Sequence, residues 1–515
     1  MRLALAPLVV MLFVASGASA ATLQVGPTRS YKTLGAVAGI VNPGDVVEVD
    51  GGATYPAVAF TRAGSAASKI TLRGIRVGGK RPILSGGTNS IELAGDHYVL
   101  EGFEITGGSS RCVFHHADDI TIRDSVVHDC PKQGILGADQ DSGSLLLEYT
   151  EVYKCGGGTQ DHQIYMATDE VAHPGSVFRM QFCWVHDGNG GNNVKTRAER
   201  NEIYYNWVEG AVYHELELIG PDPDGAASSW TEALKREDSD VVGNVLRKTG
   251  GSGSFARIGG DGTGQSKGRY RFVNNTFVST IDTTALRMFT GLESVEMHNN
   301  VFFRTGGFRV VRAVSGEVAW VAGEQIAGSN NWVSTGSTFI PTQWTGTITG
   351  ADPGLVASSY TVAAGSPLID KGAATTAGPA GYAFPSPLAK PAFHPPIHVQ
   401  LAPGTAAARP ASGAIDIGAF EFGTATTPDD AGTTTDVGVV TDSATSTDSA
   451  GAPDSDTLVD ANVATDSAGS DSGALEPASE TADEGGCGCR TPRSTASSSA
   501  LLPLLALLAL VRRRR

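Results

Sequence analysis

Short alternations of apolar and polar residues recur through the middle of the chain. Each is followed by a turn position and a second alternation, as in residues 119–128 and 269–278. A period of two predicts β-strands, and the apolar spacing that a helix requires is missing. The pattern occurs nine times, with the turn position at Phe103, Ser125, Thr150, Cys183, Asn206, Asn244, Asn275, Asn300 and Asn331.

The turn positions lie 22 to 38 residues apart. A period of this length is typical of repeat proteins in which each unit buries its apolar face against its neighbours. Because one coil of three short strands needs about 22 residues, we predict an all-β parallel solenoid. Asparagine at the last five turn positions predicts a ladder of stacked side-chain amides inside it.

Segments of different composition flank the repeats. Residues 1–20 combine an early arginine, an apolar run and a final Ala-Ser-Ala, which is typical of a secretory signal peptide. Residues 423–484 contain 11 Asp and 3 Glu but no Lys or Arg, so they carry most of the formal net charge of −16. This composition predicts a disordered acidic linker. The remaining domain is still net negative, which argues against nucleic acid as a partner.

Residues 485–515 hold a Gly-Cys-Gly-Cys motif, a polar spacer, an apolar run at 500–511 and four terminal arginines. The apolar run is shorter than the roughly 20 residues that span a bilayer, although the preceding Ser/Ala residues bring it close. This ending resembles the C-terminal sorting signal of myxobacterial surface proteins. The resemblance implies an exported bacterial protein held at the cell surface or outer membrane. An ordinary transmembrane helix as anchor is the alternative.

Residues 21–60 do not fit the repeat and are predicted to be an N-terminal cap. The apolar spacing of residues 30–41 predicts a capping helix, with Ser30 as its N-cap, that covers the exposed edge of the first coil. Residues 61–422 form the solenoid domain. We expect the domain to be a monomer.

Three phrases near the end of the domain resemble, in order, the terminal segment of bacterial right-handed parallel β-helix proteins related to pectate and alginate lyases. They are residues 352–355, 366–372 and 416–421. The resemblance implies a right-handed parallel β-helix. It says much less about the reaction, because this fold carries lyases, hydrolases, esterases and adhesins alike.

Four cysteines lie in the solenoid. Cys130 and Cys155 each follow a turn position by five residues, so they should be neighbours on coils that are about 4.8 Å apart. That spacing allows a disulfide, which export would permit. A stacked pair of unlinked thiols fits equally well. Cys112 and Cys183 are predicted to be core residues.

One strand position aligns across six consecutive coils. Strand alternation turns its apolar members inward: Ile164, Val194, Leu216, Ala256, Leu286 and Val311. The residues after them should form an outward column on one face: Tyr165, Lys195, Glu217, Arg257, Arg287 and Arg312. A count made strictly from the turn positions instead places His162 beside Lys195, so two registers stay open.

The column would be roughly 24 Å long at the spacing of strands in a sheet, enough for several sugar units. Its four cations stand on an otherwise acidic domain, so they predict a binding site for a polyanion, and a uronic-acid polysaccharide fits. Glu217, Arg257, Arg287 and Arg312 are the candidate substrate-binding residues. In the alternative interpretation these are ordinary surface charges, and Glu217 merely neutralises its cationic neighbours.

The coil around Lys195 is the richest in candidate chemistry. The phrase Lys-Thr-Arg-Ala at 195–198 resembles a Lys-Ser-Arg-Ala motif of lyase-like β-helix proteins, with Thr196 in place of serine. The phrase His-Gln-Ile-Tyr at 162–165 is similar to one on the preceding coil of such proteins. Long loops at 167–177 and 219–238 flank this coil, and long loops beside a rigid scaffold are common at binding sites.

β-Elimination of a uronate needs a cation to neutralise the carboxylate, a base to remove the adjacent proton and an acid for the leaving oxygen. We expect Lys195 to be the base and Arg197 the carboxylate clamp. The acid is Tyr165, His162 or His214.

Calcium through Glu215, Glu217, Asp222 and Asp224 is an open alternative for neutralising the carboxylate, although residues 220–225 are more simply a turn. Hydrolysis is less well supported, since the paired carboxylates of a glycosidase are not evident. The sequence therefore favours an exported protein that binds an acidic polysaccharide and cleaves it by β-elimination. A non-catalytic surface adhesin or matrix-binding protein is the rival interpretation.

Overall fold

The chain folds as a right-handed parallel β-helix, as predicted. The computed structural model describes residues 20–222, 225–234, 237–260, 266–313, 320–382, 388, 390–410 and 413–423. Its strands form three sheets, and each coil contributes one strand to sheet A, then to sheet B, then to sheet C. The predicted acidic linker and C-terminal sorting signal, and the predicted signal peptide apart from residue 20, lie outside the described residues and stay predictions.

The strands of each sheet follow one another in the order of the coils. Sheet A consists of Thr22–Val25, Val46–Asp50, Ile70–Ile75, Tyr98–Glu101, Ile120–Arg123, Leu145–Glu148, Val177–Gln181, Arg200–Tyr204, Asp238–Val242, Arg269–Val273, Ser294–His298, Ile326–Ser329 and Trp344–Thr345. Sheet B consists of Thr54–Pro56, Ile83–Ser85, Glu104–Thr106, Val126–His128, Glu151–Tyr153, Trp184–His186, Trp207–Glu209, Val245–Lys248, Thr276–Ser279, Val301–Phe303, Trp332–Ser334 and Ile348–Gly350. Sheet C consists of Val58–Phe60, Asn89–Leu93, Arg111–His115, Ile135–Gly137, Ile164–Ala167, Val194–Arg197, Leu216–Ile219, Ala256–Gly259, Thr284–Met288 and Arg309–Ala313.

The turn positions form the corner between sheets A and B, and the predicted amide ladder is present there. The Nδ2 of Asn206 donates to the Oδ1 of Asn244 at 3.0 Å, and the same bond links Asn244 to Asn275 and Asn275 to Asn300. Asn300 bonds Asn331 in turn at 3.1 Å. All five side chains are fully buried. Because each amide satisfies its neighbour, a polar corner can be buried without unpaired groups.

Inward apolar residues from all three sheets merge into one continuous core that runs from Val25 to Trp344. This is the expected result of stacking units that cannot bury their apolar faces alone.

The N-terminal cap has a shorter helix than the sequence predicts. The α-helix covers only Gly35–Ala38, and the residue before it, Leu34, makes no side-chain capping bond. Ser30 is not the N-cap, because Tyr31 next to it forms a bridge with Val25 instead of entering a helix. The strand Thr22–Val25 extends sheet A at this end. One 3₁₀-helix, Glu232–Leu234, follows later. Within the described part of the chain, no helix is long and apolar enough to cross a membrane.

The three phrases near the end of the domain lie in a segment that packs along the outside of the solenoid. Leu368 and Phe420 from this segment pack with Trp207 and Trp332 of sheet B. Further along, the Nε2 of Gln400 donates to the carbonyl oxygen of Ser125 at 3.0 Å. The segment therefore covers apolar side chains on the outer face of sheet B and reaches back to the early coils.

Neither of the two arrangements considered for Cys130 and Cys155, a disulfide or a stacked pair of unlinked thiols, is present. Cys130 forms a disulfide with Cys112, with the two Cα atoms 5.7 Å apart, whereas Cys155 and Cys183 are buried free thiols. Cys130 and Cys155 do lie on adjacent coils, since the N–H of Gly156 donates to the carbonyl of Cys130 at 3.1 Å. Cys130 lies at the corner between sheets B and C, just after the strand Val126–His128. The sulfur of Cys112 reaches this corner from sheet C, and both sulfurs lie near the carbonyl of His128. The core placement of Cys183 is confirmed.

Candidate functional site

The column of outward residues on sheet C has the first of the two predicted registers. Tyr165 pairs with Lys195, and Lys195 pairs with Glu217. The next three pairings continue the column through Arg257, Arg287 and Arg312. The apolar residues before them pair in the same order. The register that would place His162 beside Lys195 is excluded. The sequence left both registers open, and the strand pairing decides for the one that follows the inward apolar residues.

The column is not uniformly exposed, as the prediction of a solvent-facing stripe assumed. Tyr165, Lys195 and Glu217 are 2%, 6% and 3% exposed, and we call these three residues the closed half. Arg257 and Arg287 are partly exposed and Arg312 is exposed, and these three form the open half. The prediction failed for the closed half because neighbouring loops fold over it.

Glu217 is the centre of the charges in the closed half. Its Oε2 lies 3.8 Å from the Nζ of Lys195 and accepts a hydrogen bond from Asn192 at 2.5 Å, while its Oε1 accepts one from Arg257. Burial opposes ionisation of this carboxyl, but the charges of Lys195 and Arg257 outweigh it and hold the pKa of Glu217 well below its usual range. Glu217 is therefore an ionised carboxylate that pairs with two cations, Lys195 and Arg257.

Arg197 and Tyr165 form a second group beside Lys195. The Nε of Arg197 donates to the Tyr165 hydroxyl at 3.1 Å, and its Nη1 donates to the carbonyl of Gly220 at 2.7 Å. The Tyr165 hydroxyl lies 3.4 Å from the Oδ1 of Asp139. The Nζ of Lys195 lies 5.3 Å from the centre of the Tyr165 ring, a cation–π arrangement. A guanidinium, a phenol and an ammonium thus meet in one place.

Arg197 and Lys195 project to the same side of the strand Val194–Arg197, as alternation predicts. Thr196 between them turns inward, where its hydroxyl donates to the Oδ1 of Asn201 at 2.6 Å. The residue that departs from the Lys-Ser-Arg-Ala motif therefore anchors the coil from inside.

His162 and His214 lie beside this group as buried, neutral imidazoles. Burial, together with the charge of Lys195, lowers the pKa of His162 to about 3, and burial lowers the pKa of His214 to the same value. The Nδ1 of His162 accepts the backbone N–H of Asn192 at 3.0 Å, and the Nδ1 of His214 accepts that of Ser254 at 2.8 Å. Neither ring carries a proton that it could release easily at neutral pH, so neither is a good general acid.

A cover segment, residues 220–222 and 225–231, continues from the strand Leu216–Ile219 and lies against Arg197 and Asp139 beside the closed half. The side-chain amide of Gln140 donates to the carbonyls of Gly225 and Ala226 at 3.0 and 3.3 Å. A Cβ on Gly225 would lie 2.7 Å from a carboxylate oxygen of Asp139, so the segment packs closely there. The space left beneath it is a cavity of about 10 Å³, which is about the size of one water molecule.

Three polar residues of the site were missed by the sequence reasoning. Asn192 bonds Glu217, Asp139 bonds Tyr165, and Glu170 lines the small cavity together with Arg197. Burial raises the pKa of Glu170 to about 8, and burial with the nearby Asp222 also raises the pKa of Asp139. Only Glu170 had a signal in the sequence, since it lies in the long loop 167–177.

The acidic residues considered for calcium do not form one cluster. Glu215 is fully buried, 3.8 Å from the ammonium of Lys248, whereas Glu217 is held by Lys195 and Arg257. Asp222 lies 3.9 Å from Arg197, and Asp224 lies outside the described residues. Within the described ranges, no group of three or more His, Cys, Asp or Glu residues is arranged to hold a metal ion.

The open half presents its arginines against an aromatic ring. The guanidinium carbons of Arg257 and Arg287 lie 4.0 and 5.5 Å from the centre of the Phe289 ring. Stacking of this kind fixes the planes of the guanidinium groups. Arg257 already donates to Glu217 and to the carbonyl of Gly260, so Arg287 is the better placed of the two to bind an anion.

No protein-family model matches the chain, and no curated protein matches it significantly. Solved structures do show similarities. The pectate lyase Pel9A is 11% identical, with 79% of this chain and 97% of that one covered and a TM-score of 0.44. An alginate lyase from Paenibacillus sp. strain FPU-7 is 15% identical, covering 64% and 99%, with a TM-score of 0.37. XylC in complex with xylose is 9% identical, covering 65% and 87%, with a TM-score of 0.40.

These identities and TM-scores are too low to assign a reaction to this chain. The function proposed below therefore rests on the residues of the site.

Proposed function

We propose that this protein binds an acidic polysaccharide along the column of sheet C and cleaves it by β-elimination at the closed half. The observation that carries the proposal is the meeting of Lys195, Arg197 and Tyr165, with Arg197 donating to the Tyr165 hydroxyl at 3.1 Å. These are the three kinds of group that the elimination of a uronate requires.

In the proposed reaction, the guanidinium of Arg197 neutralises the uronate carboxylate, which makes the adjacent C5–H acidic. The amine of Lys195 takes that proton, and the C–H electron pair forms the C4=C5 double bond as the C4–O bond breaks. Tyr165 gives its hydroxyl proton to the departing oxygen. Lysine acts as a base only as the neutral amine. Lys195 lies 3.8 Å from the Glu217 carboxylate, so the proposed step requires that Lys195 first gives its own proton away.

Tyr165 is the acid in this proposal because the two alternatives are less suitable. His162 and His214 are neutral rings whose Nδ1 atoms already accept backbone hydrogen bonds. The phenol of Tyr165 has the donor role that the leaving oxygen needs, and Arg197 beside it stabilises the phenolate that remains.

The open half supports binding in this proposal. Arg257, Arg287 and Arg312 follow one another on adjacent strands, so a chain of uronates lying across the strands would meet a cation at each coil. We further propose that the protein is exported and attached to the cell surface by its C-terminal residues. The disulfide between Cys112 and Cys130 supports export, because such bonds persist in oxidising compartments.

A non-catalytic surface adhesin is the second candidate, and one observation favours it. Lys195 and Arg197 are 6% and 1% exposed, so a sugar can reach them only if the residues around them move. Binding by the open half needs no such movement.

The test incubates the protein with polygalacturonate, alginate and a glycosaminoglycan and follows the ultraviolet absorbance of the unsaturated uronate product. We expect product from one of them, and its loss in Lys195→Met. Lys154→Met removes an exposed lysine and should behave like the wild type. If no polysaccharide gives product while one binds equally to the wild type and Lys195→Met, the lyase proposal is wrong and the adhesin stands.

A further inference from the structure

An open cleft of about 430 Å³ lies beside the open half, at the corner between sheets B and C in the last coils. Two arginines, Arg304 and Arg309, line it together with Phe339 and Asp282. We call it the corner cleft. Its volume is within the range of small-ligand sites and suits one or two sugar rings.

The corner cleft is continuous with the open half through a single strand. Arg309 begins the strand Arg309–Ala313, in which Arg312 is the last member of the column. Three residues along a strand span about 10 Å. Because the column runs across the strands and the cleft lies along this one, a glycan chain on Arg312 has to turn at the last strand of sheet C to enter the cleft.

The cations of the cleft are only partly neutralised by the protein. An Nη2 of Arg309 lies 3.7 Å from the carboxylate of Asp282, which is itself 64% exposed. The Nε–H of Arg309 is buried and has no hydrogen-bond partner among the described residues. Arg304 donates to the carbonyl of Gly307. Of the two guanidinium groups, that of Arg309 thus lies near one solvated carboxylate and that of Arg304 donates to a backbone carbonyl, so the charged side chains that line the cleft are net positive.

Phe339 supplies an apolar wall in an unusual conformation. Its side chain is 57% exposed, and its backbone has a φ of +55°, which a bulky residue rarely adopts. The conformation is held by the edge of sheet C, because the N–H of Val311 donates to the carbonyl of Phe339 at 3.1 Å. An exposed ring beside cations suits the apolar face of a sugar.

The remaining lining is bare backbone. A Cβ at Gly307 would lie 2.3 Å from the backbone nitrogen of Ser337, so no side chain can occupy that position. Gly306 and Gly336, with φ of 83° and 88°, also favour glycine. The sequence thereby keeps the space between the two arginines and Phe339 free of side chains.

We propose that the corner cleft is a binding subsite for one anionic pyranose, with its carboxylate between Arg304 and Arg309 and its apolar face on Phe339. The choice of a uronate as that sugar rests on the proposed function, whereas the requirement for an anion rests on the cleft alone.

The test is calorimetric titration of the full chain with tetragalacturonate and with tetramannuronate, and with neutral galactotetraose as the uncharged probe. We expect one of the acidic tetramers to bind and the neutral one not to. Arg309→Ala and Phe339→Ala should each weaken binding about tenfold, as the loss of a charged hydrogen bond or a stacking contact would. Arg76→Ala, an arginine with a 47% exposed side chain on an early coil, is the matched control and should bind like the wild type.

Wild-type affinity in both cleft variants, or equal binding of the neutral tetramer, overturns the proposal, and so does failure of both acidic tetramers to bind. Absorbance of the same samples reports cleavage separately. If binding depends on Arg309 but no product forms, the proposed subsite in the corner cleft is supported and only the proposed lyase reaction is wrong.

Discussion

The closed and open halves of the column occupy the same strand position on six consecutive coils, yet their surroundings differ. In the closed half, Lys195 and Glu217 are buried and lie 3.8 Å apart, and Glu217 also accepts a hydrogen bond from Asn192. In the open half, Arg287 and Arg312 reach solvent, and Arg287 stacks only loosely on Phe289. The sheet fixes where a side chain stands, whereas the loop that follows the strand decides what surrounds it.

Because of this contrast, the two halves are suited to different roles in the proposed function. A buried cluster of charges is suited to proton transfer, because fixed groups in a water-poor environment interact strongly. Exposed arginines on a rigid sheet are suited to holding a polyanion, since their charge is available at little cost in desolvation. Each half should therefore respond differently to the loss of one charge.

The largest difference should appear in stability. Glu217→Gln keeps the shape of the side chain but leaves the buried Lys195 without its carboxylate and Arg257 without its main partner. We expect the free energy of unfolding to fall by about 3–5 kcal/mol, as when one member of a buried ion pair is lost. Arg287→Gln in the open half should cost less than about 0.5 kcal/mol. Urea unfolding measures the free energy of unfolding of both variants. Equal decreases in the two variants would contradict the difference between the halves.

A smaller difference should appear in the pH dependence of stability. The pKa of His162 is about 3 in the folded protein and about 6.5 in an unfolded chain, so the unfolded state binds the proton first. Its contribution to stability is complete above pH 6.5 and is lost as the pH falls towards 3, by about 1.4 kcal/mol per pH unit.

His162→Asn keeps an acceptor for the Asn192 N–H and removes this titration. The gap in unfolding free energy between variant and wild type should therefore change by that slope between about pH 6 and pH 4. Arg312→Gln, which removes an exposed charge that does not titrate in this range, should give a profile parallel to the wild type. A parallel profile for His162→Asn as well would show that this ring is not buried in neutral form.

The smallest effect should come from loosening the cover segment. Gln140→Ala removes two hydrogen bonds to the carbonyls of Gly225 and Ala226, each contributing about 0.5–1.5 kcal/mol at most, and less where it is exposed. Hydrogen exchange of residues 225–231 should accelerate a fewfold, while the strand Arg309–Ala313 should be unaffected. Unchanged exchange in the cover segment would mean that other contacts hold it.

The fold was predictable because every coil repeats the same physical constraint. Apolar residues at period two indicate which side chains point inward, and asparagines at the last five turn positions mark one corner. The alternation of Ile164 and Val194 gave one of the two registers left open, and it is the one in which Tyr165 pairs with Lys195. The capping helix was overestimated because periodicity does not reveal that Tyr31 bridges Val25.

What the sequence could not predict depends on how loops fold back. The cover over Arg197 comes from residues that follow the strand Leu216–Ile219, and no local pattern indicates on which side they lie. The disulfide was not predicted for a related reason, since Cys112 approaches Cys130 across a corner and not along the stack of coils. Repeating elements were predictable, and contacts between non-repeating segments were not.

The most direct test of the account separates kcat from KM on the acidic polysaccharide that gives product. Lys195→Met, in the closed half, should lower kcat by at least about a hundredfold, because it removes the proposed base. Arg287→Gln, in the open half, should raise KM severalfold with kcat within about twofold of the wild type. A Lys195→Met enzyme with wild-type kcat, or an Arg287→Gln enzyme whose kcat falls as far as that of Lys195→Met, would contradict the division of the column into a reacting half and a binding half.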